Sequence, residues 1–185
     1  VYRVQSLRES GVVFEKITLI EDIKFNVSYF DSVCSMNVLN TTPYHYLKRI
    51  DGSLTNKFLP DYFTLNAERV FLVLEQYKNW GMCTEEVRRI LANIYVRYLF
   101  SALQRNCDKR SDMNHAQRKE WLKQQYKTPL CKELLSAVQA SGTLFKCMAK
   151  AFCAGNIPLC LMIARSIFAV KSAFPTVFST LKQQH

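Results

Sequence analysis

The stretch Thr84 to Ala102, TEEVRRILANIYVRYLFSA, decides how most of this 185-residue chain folds. Thr84 is a helix N-cap, and the carboxylates of Glu85 and Glu86 suit the bare N–H groups and positive dipole end of a first turn. Val87, Ile90, Leu91, Ile94, Tyr95, Tyr98 and Ala102 then recur at helical spacing, which predicts one long amphipathic helix. Upstream, Phe63, Ala67, Val70, Phe71, Leu74 and Tyr77 make a second apolar face that starts at Asp61 and ends near Trp80-Gly81. Downstream, the polar run Arg105 to Asp112 reads as a loop, and a short helix through Trp121 and Tyr126 precedes a break at Pro129. Two further helices are expected, from about Leu130 to Ala140 and from about Thr143 to Cys153, with Gly142 and Gly155 at their ends.

The last helix, Ile157 to Val170, is almost wholly apolar apart from Arg165 and Ser166. A bilayer span takes about 20 apolar residues, so this segment is too short for one. It is expected to close the bundle as a buried helix, the other reading being an interfacial segment on a membrane face.

Composition and charge set further bounds. At 49% hydrophobic residues the chain can bury the core of one domain or somewhat more. Lys and Arg exceed Asp and Glu by seven to six through Pro60 and by eighteen to nine beyond it, so nearly all of the net +10 lies in the helical part. A basic surface of that kind draws anionic partners such as a lipid surface, a polyprenyl phosphate or nucleic acid. Seven cysteines, with no Cys-x-x-Cys spacing, are expected as reduced thiols of a cytoplasmic protein. His45, His115 and His185 are too far apart in sequence to suggest a metal site.

The first sixty residues carry a different signal. Glu21-Asp22-Ile23-Lys24-Phe25 places adjacent carboxylates at the mouth of a short helix ending near Asp31, with Ile23, Val27 and Phe30 on one face. On capping preference alone the pair is a helix-start feature. Ser35 to Asn40 and Tyr44 to Arg49 then read as short strands about a Thr41-Thr42-Pro43 turn, followed by a loop at Asp51-Gly52-Ser53-Leu54-Thr55. The expected fold is therefore mostly α within an α+β class, a β-hairpin segment through about Pro60 followed by a helical bundle over residues 61–185.

The order of these elements is Tyr2-Arg3, Gly11-x-x-Phe14, Glu21-Asp22-x-x-Phe25, Tyr44-x-Tyr46-x-x-Arg49 and Gly52-Ser53-Leu54-Thr55. It resembles the C-terminal half of the catalytic domain of family 2 glycosyltransferases of the GT-A fold, especially bacterial cell-surface polysaccharide enzymes. The resemblance covers about the first third of the chain, from Tyr2 to about Lys57. It implies that Asp22 is the catalytic base that deprotonates the acceptor hydroxyl, with Glu21 as its supporting neighbour. It also implies that Tyr44, Tyr46, Arg49 and Ser53 contact the diphosphate or sugar of the donor. The implied substrates are a nucleoside-diphosphate sugar and a glycan or lipid-linked acceptor, with no nucleic acid and with peripheral contact at the inner face of the cell membrane.

The implied cofactor is a divalent metal, Mg or Mn, in the intact enzyme. No Asp-x-Asp and no Gly-rich phosphate loop occur in this chain, so the ligands are expected mainly in a nucleotide-binding half outside it, and the chain alone is expected to be inactive. Where the family usually has Gly before Glu-Asp, this chain has Ile20, which is expected to crowd the approach. Two rivals stand beside this reading. One is a basic helical interaction module, binding nucleic acid or a membrane surface without catalysis. The other is a hydrolase using Glu21 and Asp22 as paired acids, which adjacent residues at a helix start serve poorly.

Overall fold

A computed structural model describes residues 2–17, 19–37, 40–42 and 58–174. The chain divides into two compact units, Val1–Leu59 and Pro60–His185.

In the first unit, helix α1 (Val4–Ser10) ends at Gly11, and an irregular stretch leads to α2 (Glu21–Phe30). The buried side of α2 is Phe25 and Tyr29, with Ile20 buried just ahead of it. Ile23, Val27 and Phe30, the face expected from spacing, are only half-buried. Aromatic packing decides the matter. Phe14 stacks on Phe25 with ring centroids 4.0 Å apart, and the Tyr2 ring meets Phe25 and Tyr29 edge-on at 5.5 and 5.2 Å. Tyr2 Oη also donates to Asn26 Oδ1 at 2.6 Å, holding the start of the chain on α2.

The expected hairpin has no counterpart among the described residues, which contain no strand. Ser35, Met36 and Asn37 are all exposed, so this stretch has no buried face for a pleated strand to turn inward. Its partner, Tyr44 to Arg49, lies outside the described residues.

Six helices make up the described part of the second unit: α3 (Tyr62–Asn79), α4 (Glu85–Arg105), α5 (His115–Lys127), α6 (Pro129–Leu135), α7 (Thr143–Cys153) and α8 (Ile157–Ala173). Side-chain caps start four of them, α4, α5, α6 and α8. Thr84 Oγ1 accepts from the Val87 N–H at 3.3 Å, and Asn114 and Gln117 form a reciprocal capping box at 2.9 and 2.7 Å. Thr128 Oγ1 accepts from the Cys131 N–H with Pro129 at the first helical position, so Pro129 opens a helix as well as closing the one before. Two ends need glycine. At Gly81 and Gly155, φ is 67° and 65°, and the bonds Met82 N to Tyr77 O and Asn156 N to Ala151 O are the six-to-one closures of Schellman motifs.

Helix α4 is the hub, packed on α3, α6, α7 and α8, while α5 packs on α6 and α8. Tyr95, Val96, Leu99, Phe100 and Leu103 are almost wholly buried, together with Leu74 of α3, Leu122 of α5, Phe152 of α7 and Cys160 of α8. Two polar links close the bundle. Asn93 Nδ2 donates to Gln139 O at 2.8 Å while the Gln139 N–H donates to Asn93 Oδ1 at 3.1 Å. Lys171 Nζ donates to the buried Gln104 Oε1 at 2.5 Å, tying the end of α8 to α4. On α8, Cys160, Leu161 and Ala164 are buried, whereas Met162 and Val170 are 59% and 52% exposed. Among the described residues no helix is long and apolar enough to cross a membrane.

Candidate functional site

Glu21 and Asp22 occupy the first turn of α2, with Ile20 at the N-cap position. Asp22 is exposed, and its Oδ1 accepts from the Ile23 N–H at 2.8 Å. Glu21 turns the other way: its Oε2 is buried and has no hydrogen-bond partner among the described residues. The two carboxyl groups thus face different surroundings. That arrangement suits one acid in contact with solvent and one in a supporting place.

The backbone entering this turn is unusual. Leu19 has φ of 90°, a conformation that a bulky L-residue adopts at a cost of about 1–2 kcal/mol. Ile20, expected to crowd the approach, is completely buried ahead of α2. Strain of this sort persists where the surroundings hold it, and it gathers at working sites. Tyr44, Tyr46, Arg49 and Ser53 lie outside the described residues, so only Asp22 and Glu21 of the expected site are located.

Among the described residues no group of three or more His, Cys, Asp and Glu side chains is gathered to hold a metal ion.

Two cavities open among the described residues of the helical unit. The larger, of about 630 Å³, lies between the start of α4 and the segment after α6, and its charges are mutually compensated: Arg89 pairs with Glu86 at 3.2 Å, and Arg88 reaches Glu133 at 3.5 Å. The smaller, of about 360 Å³, is different in kind. Its polar lining is His115, Arg118, Lys119 and Arg165, its apolar lining Leu103, Pro158, Leu161 and Met162, and no carboxylate lines it. None of the four basic side chains forms an ion pair among the described residues, whereas Lys78 is held by Glu75 and Glu133 and Arg110 by Asp108. Cys107 also lines this cavity. Burial pushes its thiol up, against the pull of the Arg118 and Arg165 guanidiniums.

Sequence reading missed this cluster. Its members come from α5, α8 and the segment after α4, and only packing gathers them. The excess of eighteen cations over nine acids beyond Pro60 was the one available signal, and it gave a sign without a place. Family models, curated proteins and solved structures offer no match to this chain.

Proposed function

We propose that this chain is the acceptor-side part of a glycosyltransferase that moves a sugar from a nucleoside-diphosphate donor to a glycan or lipid-linked acceptor in cell-surface polysaccharide synthesis. The observation that carries the reading is Asp22, an exposed carboxylate in the first turn of α2, entered through the strained Leu19 and flanked by an inward Glu21. Its place in the order Tyr2-Arg3, Gly11-x-x-Phe14 and Glu21-Asp22-x-x-Phe25 supports it further. In this reading Asp22 accepts the proton of the acceptor hydroxyl as that oxygen attacks the anomeric carbon, and the bond to the nucleoside diphosphate breaks. The donor's diphosphate calls for a divalent ion, and no ligand role for it is assigned to Glu21 or Asp22.

The test is Asp22→Asn in the intact enzyme. Loss of a positioned base lowers turnover by about 10²–10⁴-fold, with donor affinity little changed, since the group removed acts in the transition state. Transfer at the wild-type rate by a folded Asp22→Asn protein would refute the assignment.

A second reading, a basic helical binding module without catalysis, is favoured by one observation: four basic side chains with no ion pair among the described residues line a cavity whose described lining holds no acid.

A further inference from the structure

The cavity between α5 and α8 has three properties that seldom coincide. It is basic without compensation: His115, Arg118, Lys119 and Arg165 line it and no carboxylate does. Arg118 and Arg165, on different helices, line it together with Cys107, whose thiol is pushed up by burial against the pull of both guanidiniums. Arg118 carries a further mark, since its Nε is buried and has no hydrogen-bond acceptor among the described residues. Leaving a buried donor of a charged group unsatisfied costs at least about 1–3 kcal/mol, so its place here is not explained by stability.

The second property is that the opening turns of two helices contribute to the lining. His115 is the first residue of α5, and Pro158 lies in the first turn of α8. Both place the start of a helix, where the backbone dipole favours negative charge, beside the cavity. The third is apolar surface beside the charge. Leu103 and Leu161 are core residues that reach the cavity wall, and Met162 next to them is 59% exposed. A volume of about 360 Å³ falls in the size range of small-molecule sites and exceeds what a bare oxyanion fills.

We propose that this cavity is a binding site for a phosphomonoester or diphosphate carried on an apolar substituent, the phosphoryl oxygens meeting Arg118, Lys119 and Arg165 and the substituent lying on Leu103, Leu161 and Met162. Guanidinium groups suit the anion because their planar donors match phosphoryl oxygens two at a time. Its lining lies wholly in the helical unit, and the site does not depend on the chemistry assigned to Asp22.

The experiment titrates inorganic phosphate and phenyl phosphate into the full chain by calorimetry at constant ionic strength. Phenyl phosphate binds at least about tenfold more tightly than inorganic phosphate, the ring supplying the apolar part. Arg165→Gln and Lys119→Gln, both at exposed positions, each weaken it about tenfold with the thermal midpoint unchanged. Lys146→Gln, an exposed cation on α7 away from the lining, leaves it as in the wild type. No phosphate binding beyond matched chloride, equal affinity for the two probes, or equal loss in Lys146→Gln overturns the proposal. Sedimentation with phosphatidate vesicles then separates the sources of the ligand. Co-sedimentation lost in Arg165→Gln assigns a lipid phosphomonoester, and phenyl phosphate binding without co-sedimentation assigns a soluble one.

Discussion

Leu99 is completely buried on α4, and its neighbours Val96 and Phe100 are buried as well, although spacing had placed the apolar stripe on Val87, Ile90, Leu91, Ile94, Tyr95, Tyr98 and Ala102. Leu91, Tyr95 and Ala102 are in the core, but Ile90 is 49% exposed. The stripe argument assumes that a helix buries one face. A hub helix with neighbours on several sides buries more, and the number of neighbours is a property of the tertiary arrangement that a local window does not contain. The cost of Leu99→Ala follows from this position: about 2–5 kcal/mol, because no open side lets the surroundings collapse into the space. Urea unfolding followed by circular dichroism checks it, and a loss under about 1 kcal/mol would mean that α4 is not the hub. The same limit governs the site. Asp22 was legible because its neighbours lie beside it in the chain, whereas Arg118 and Arg165 meet only through the packing of α5 on α8.

Among the elements, starts were more legible than ends. Thr84 caps α4 as its side chain and the two following acids indicate, and α7 covers the expected Thr143–Cys153. Helix α6 was expected to reach Ala140 and stops at Leu135. Past that end, the Asn93 amide takes both the N–H and the C=O of Gln139 and so keeps this residue out of a helical ladder. Nothing in residues 130–140 announces a partner 46 positions upstream. The Schellman ends make a separate prediction. Gly155→Ala forces a left-handed φ on a residue with a Cβ, at about 1–2 kcal/mol, and no atom lies within 4 Å of that Cβ, so the cost is conformational alone. A thermal midpoint that drops in Gly155→Ala, but holds in a variant replacing Gly155 by D-alanine through chemical ligation, is the expected pair of results. Equal drops would point to packing instead.

For the molecule as a whole, the mostly helical class and the basic balance were legible, and the β part of the expected class has no counterpart among the described residues. Patterns of period 3.6 announce helices over a dozen residues, while a strand depends on a partner and a buried face. Burial also fixes how stability responds to pH. Cys131 and Cys160 have thiols pushed up to about 11 by burial, and burial drives Tyr95 and Tyr126 above the ordinary tyrosine range. The unfolded chain releases the thiol protons near the ordinary value of 9.0, while the folded chain keeps them to about 11. Stability is therefore full below about pH 9 and is lost as pH rises toward 11. The urea midpoint of the helical unit is expected to fall between about pH 8 and about pH 10.5, and to fall less in Cys131→Ala/Cys160→Ala. A midpoint constant across that window would count against buried, neutral thiols.

The link from Lys171 to Gln104 spans 67 residues and bears on the order in which the chain is made. As the nascent chain leaves the ribosome, α3 and α4 emerge before the rest of the helical unit and can pair as a helical hairpin. The flank of α4 that receives α8 must then wait, apolar and wet, while α5, α6 and α7 are still being threaded out. Synthesis that stops before Ile157 leaves a hub without its last neighbour, a surface for chaperones to hold rather than a smaller version of the same fold.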